Sequence, residues 1–137
     1  MIIGELCVMM KNSEGLKKIS IHTSSTQAGS FKALVKDILH GQEMLIAPGL
    51  SIFTSPDGTI FEFYGIGSHY PDYLFSHGNI VNSYQVPDIH LALEKMEKQG
   101  ATLLGEVVDM SASCYYCHVR LEDGSVIGLF QYNTAVM

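Results

Sequence analysis

The sequence predicts an α+β fold built from two tandem βαβββ modules, and three observations carry that reading. Stretches alternating with the period of half-buried strands frame two stretches with the periodicity of amphipathic helices. The order of one strand, one helix and three strands occurs twice along the chain. Finally, SPDGTIFEFY at 55–64 and LEDGSVIGLF at 121–130 share an Asp-Gly turn followed by an apolar strand. One such unit has a curved sheet with a helix only on its convex side, so pairing with its twin is the natural way to bury the remainder.

Taken in order, residues 16–25 alternate Ile19 and Ile21 against Ser20, His22 and Ser24, the pattern of a first strand. Phe31, Leu34, Val35, Ile38 and Leu39 recur at helical spacing and form one apolar stripe, which Gly41 is expected to stop. Strands are expected near 42–47, 50–54 and 58–64, divided by Pro48-Gly49 and by Pro56-Asp57-Gly58. Residues 65–77 read as a connecting loop. The second module begins with a strand at 78–86 and passes through Pro87-Asp88 into a helix with Ile89, Ala92, Leu93 and Met96 on its apolar face. Gly100 ends that helix, and strands follow near 102–109, 113–121 and 125–132. Module one thus spans about 16–65 and module two about 78–133 of a single domain, 16–137, with residues 1–15 as an N-terminal extension.

At 137 residues the chain is long enough to bury a real core. Its 47% hydrophobic and 16% charged content is that of a compact globular protein. Eight Lys and Arg against fourteen Asp and Glu give a net charge of −6, with no basic stripe. Nucleic acid and anionic membrane surfaces are therefore unexpected partners. No apolar run has the length of a membrane span, and the apolar stretch 1–10 contains Glu5 and lacks a preceding cationic region, so a cytoplasmic location is expected. Three cysteines, an odd number, argue against a disulfide framework.

The segments VPDIHLALEKMEKQGATLLGE at 86–106 and LEDGSVIGLFQ at 121–131 resemble the second-module helix and final hairpin of the glyoxalase/bleomycin-resistance/dioxygenase (vicinal oxygen chelate) superfamily. The first module resembles it in the order and spacing of its elements, and the likeness covers about 16–133. The resemblance implies a curved mixed sheet or partly closed barrel around a cavity, helices outside, and a homodimer. It also implies metal ligands on the first and last strands of each module. Those positions fall on His22 and Glu62 in module one and on Val81 and Gly128 in module two, and neither of the latter can ligate through a side chain. The strand alternation independently sets His22 apart from Ile19 and Ile21, and Glu62 apart from Phe61 and Phe63.

Imidazole nitrogen and carboxylate oxygen suit zinc, nickel, manganese or iron, but two ligands make an incomplete site. The expected ligand-binding set is therefore His22, Glu62, Tyr64, Val81, Gly128 and Phe130, lining a mostly apolar cavity for a small organic molecule without a catalytic metal. Two alternatives accompany it. A divalent metal on His22 and Glu62 would make a lyase, isomerase or dioxygenase, and a cavity without turnover would make a drug-sequestering resistance protein. Cys114-Tyr115-Tyr116-Cys117-His118 spells the haem attachment pattern, but lies in an expected strand, where residues three apart project to opposite faces. Asp57 and Asp123 are expected to cap hairpin turns rather than act in catalysis.

Overall fold

The computed structural model describes residues 17–23, 28–110 and 114–132. Contacts gather them into two compact units, Lys17–Asn82 and the residues from Ser83 onward, with the boundary inside the fifth strand. The proposed extension 1–15 lies outside the described residues.

The first unit runs β1 (Lys17–His22), α1 (Ala28–Ala33), a π-helical turn (Leu34–Ile38), β2 (Gln42–Ala47), β3 (Leu50–Thr54) and β4 (Ile60–Tyr64). Its strands lie in the order β2-β3-β4-β1. The β2–β3 and β3–β4 pairs are antiparallel, while β1 and β4 are parallel, with Ser20 opposite Glu62 and His22 opposite Tyr64. This register sorts side chains by parity. Ile19, Ile21, Phe53, Phe61 and Phe63 pack with Phe31 and Val35 of the helical segment, leaving Lys18, Ser20, His22, Glu62 and Tyr64 for the opposite face.

The helical segment departs from the expected single stripe. Its α-helix ends at Ala33 and continues as a π-turn with Leu39 N–H donating to Leu34 O. Such a widening shifts the angular phase of every later side chain. Val35 stays buried, but Leu34, Ile38 and Leu39 turn toward solvent, Ile38 being 66% exposed. The left-handed residue that breaks the segment is His40, at φ 57°, rather than Gly41. Glycine is required at 41 for closeness: a Cβ there would stand 2.8 Å from Val35 Cγ1 and 2.9 Å from Val35 O.

The second unit carries the β5 strand (Ile80–Gln85) across the boundary into α2 (Ile89–Lys98), β6 (Thr102–Met110), β7 (Cys114–Arg120) and β8 (Val126–Tyr132). Strand order is β5-β8-β7-β6. Asp88 caps α2 by accepting from Leu91 N–H at 3.0 Å, and the side chain of Gln131 accepts from Ile89 N–H at 2.7 Å. Gly100, at φ 98°, ends the helix as its sequence position predicts. Ile89, Cys117 and Leu129 form the core under α2, with Ala92, Met96, Leu103 and Tyr115 beside them.

Both Asp-Gly turns behave as expected. Thr59 N–H donates to Asp57 Oδ1 at 3.0 Å, and Ser125 N–H donates to Asp123 Oδ1 at 2.9 Å. No helix among the described residues is long and apolar enough to cross a membrane.

Candidate functional site

The helix-free face of the first unit holds a buried polar group. Glu62, in the middle of β4, is 1% exposed. Its Oε1 accepts from Ser20 Oγ across the strand pair at 2.9 Å and from Tyr64 Oη two residues along at 3.1 Å. Lys18 Nζ stands 3.6 Å from the same oxygen, its side chain 13% exposed. A charge removed from water needs such compensation, because an isolated buried carboxylate is strongly disfavoured. The compensation is one-sided: Glu62 Oε2 is buried without a hydrogen-bond partner.

Beside this network sits a cluster of rings. His22 packs on Tyr70 and Phe75 with centroids 5.5 and 5.0 Å apart. Tyr64 meets the same two rings at 5.7 and 5.8 Å. Three of these contacts are edge-to-face and the His22–Phe75 pair is tilted, and offset or edge-on packing of this kind favours particular ring orientations. Residues 65–77 are therefore more than a connection, since their Tyr70 and Phe75 wall one end of the polar face and Leu74 is buried.

The expected site residues divide accordingly. Glu62 and Tyr64 are joined directly, and His22 lies opposite Tyr64 and shares its ring partners. The residue opposite Glu62 is Ser20, not His22. In the second unit, Gly128 faces Ser83 and His118. A Cβ at 128 would collide with Ser83 Oγ, lie 2.9 Å from Ser83 Cβ and stand 3.3 Å from His118 Cδ2. Ser83 Oγ is itself buried without a hydrogen-bond partner. Phe130 is buried on β8 opposite Tyr116, and Val81 is buried in the first unit. Lys18, Ser20, Tyr70, Phe75 and Ser83 are additions that the sequence reading did not single out. Lys18 and Ser20 had a signal, since they share the parity of His22 on β1; nothing local marked Tyr70 and Phe75.

Among the described residues the donors near Glu62 fall short of the usual set of a catalytic metal site. Such sites usually offer roughly three protein ligands, and no group of three His, Cys, Asp or Glu side chains converges among the described residues. Glu62 Oε1 is already engaged by an ammonium and two hydroxyls, which leaves Oε2 as its one uncommitted oxygen. The cysteine motif lies within β7, where Cys117 is a free thiol in the core beneath α2 and Cys114 is buried. Burial, helped by the charge of Glu97, raises the Cys117 thiol to about 11.

No family model matches the sequence, and no curated protein matches it. Solved structures do match. A glyoxalase/bleomycin resistance protein/dioxygenase superfamily member from Vibrio splendidus aligns with a TM-score of 0.58 at 16% identity, over 85% of this chain and 98% of that one. Methylmalonyl-CoA epimerase from Mycobacterium tuberculosis aligns with a TM-score of 0.58 at 16% identity, over 90% and 91%. A glyoxalase I variant from Zea mays aligns with a TM-score of 0.57 at 18% identity, over 88% of this chain and 43% of that one. At these identities the likeness is one of fold. This chain has the βαβββ fold of the glyoxalase/bleomycin-resistance/dioxygenase superfamily, the fold its own segments resemble.

Proposed function

We propose that this chain binds a small organic molecule at the helix-free face of its first module, through Glu62 and without a catalytic metal. The observation that carries the reading is the half-satisfied carboxylate: Oε1 collects Ser20, Tyr64 and Lys18, while Oε2 is buried and bare. Leaving a buried acceptor unpaired costs on the order of 1–3 kcal/mol, and more for a charged group, so a ligand N–H or O–H at Oε2 would recover what folding gives up. The rings of His22, Tyr64, Tyr70 and Phe75 supply apolar surface beside it, the mix of few polar groups and many apolar ones typical of ligand sites.

The test is a fragment screen followed by NMR on wild-type protein and on Glu62→Gln. Hits that shift the resonances of residues 18–22 and 60–64, and weaken about tenfold in the variant, support the site. Hits indifferent to the variant sink it. Elemental analysis of protein purified without tag or chelator tests the metal-free part: one equivalent of zinc, nickel, manganese or iron would overturn it. The homodimer belongs to the same proposal, and light scattering that returns a monomer at working concentration would remove it.

A further inference from the structure

Lys18 and Glu62 leave complementary capacities open on one face. At 3.6 Å from Oε1, the Lys18 ammonium is in ion-pair range, yet beyond the roughly 2.7–3.2 Å of an N–H···O hydrogen bond. An ammonium has three donors and no acceptor, and a carboxylate has only acceptors. Oε1 is saturated by Ser20 and Tyr64, whereas Oε2 has no donor. The pair thus offers a ligand one cationic donor next to one anionic acceptor.

A ligand edge that matches needs an acceptor for Lys18 beside a donor for Oε2. A carboxylate brings two acceptors and repels Glu62. An ammonium brings donors alone and repels Lys18. A carboxamide carries one of each on a single planar edge, its C=O for Lys18 and its N–H for Glu62, and stays neutral. Resting on the ligand site proposed above, we infer that Lys18 and Glu62 act as a donor–acceptor pair selecting a carboxamide. The adjoining rings of Tyr64, Tyr70 and Phe75 suit a flat, apolar group attached to it.

Three probes sharing one ring separate these chemistries: benzamide, benzoate and benzylamine, titrated into isotope-labelled full-length protein. The expected result is that benzamide shifts residues 18–22 and 60–64 and binds about tenfold more tightly than either charged probe, the worth of one well-made hydrogen bond. Glu62→Gln then inverts the order. The glutamine oxygen keeps Ser20 and Tyr64, its NH2 takes the place of Oε2, and two donors now favour benzoate over benzamide. The spectrum of the variant reports its own folding, and the wild-type ranking stands without it. Benzoate or benzylamine binding as well as benzamide to wild-type protein overturns the carboxamide class while leaving the ligand site in place. No shift at either strand with any probe also overturns it, and the separate fragment screen then decides the site.

Discussion

In the first module the third residue of the last strand is Glu62, and opposite it lies Ser20, the fourth residue of the first strand. In the second module the third residue of the last strand is Gly128, and against it lies Ser83, again the fourth residue of its first strand. The two hairpins that carry these residues are otherwise close in sequence, with matching Asp-Gly turns closed by the same aspartate hydrogen bond. The serine is kept and its partner is not. Glu62 turns Ser20 into a donor to a buried charge, while Gly128 provides only the space into which the Ser83 side chain settles. Each module ends with one bare buried atom, Glu62 Oε2 and Ser83 Oγ, and these are the two such side-chain atoms among the described residues. One face is therefore built around a charge and the other around a vacancy of side chain, although the backbone plan is common.

Substitutions can break this contrast. The largest effect is expected from Lys18→Met, which strips the cation from a carboxylate that is 1% exposed; breaking such a pair typically costs about 3–5 kcal/mol. Urea denaturation measures it, and adding Glu62→Gln should recover a substantial part. A double variant no more stable than Lys18→Met would show that the two groups are not coupled. Next comes Gly128→Ala, whose methyl group enters the space of Ser83; overpacking of this kind costs about 1–3 kcal/mol. Ser83→Gly in the same chain should relieve it, and failure to do so would place the strain elsewhere. Ser83→Ala alone is expected to be neutral or slightly stabilising, because it removes a hydroxyl that has no partner.

The smallest effects concern titration. Cys117, with its thiol raised to about 11, should resist a thiol reagent in native protein at pH 8 to 9 and react once unfolded. The folded state favours the neutral thiol, so its contribution is complete below the unfolded value of about 8.5 and is lost as pH rises through about 11. Stability that does not fall over that alkaline range in a wild-type versus Cys117→Ala comparison would contradict the assignment. Asp57 has the opposite sign. The Ser55 hydroxyl first, and then the Thr59 backbone, hold its carboxyl below the ordinary value. That stabilisation is present above the unfolded value and fades as pH falls through the folded one. Asp57 is exposed, so Asp57→Asn should change acid unfolding only slightly, and a large change would mean the turn matters more than its solvation allows.

Much of this architecture was legible because strand alternation and turn chemistry are local. The bounds expected for β2 and β3 are those observed, and Asp57 and Asp123 cap their turns as their residue type suggests. The first helix was legible only in outline. A stripe at helical spacing assumes a constant angle per residue, and the π-turn at Leu34–Ile38 breaks that constancy, exposing Ile38. Glu62 and Tyr64 could be placed on one face from β4 alone. Pairing Glu62 with Ser20 instead of His22 required the register between strands some forty residues apart, which no local pattern encodes.

The sequence by itself determined the order of the two βαβββ modules, their turns and the faces of regular strands such as β1 and β4, because periodicity and backbone preference act over neighbouring residues. The irregular registers within β2 and β6 interrupt that alternation. Only the tertiary structure decided which residues meet: Lys18 and Ser20 on Glu62, Tyr70 and Phe75 on His22 and Tyr64, Ser83 in the notch of Gly128. Those contacts depend on strand register and on how a loop folds back over a sheet. A burial that leaves one carboxylate oxygen without a donor exists only once both are in place.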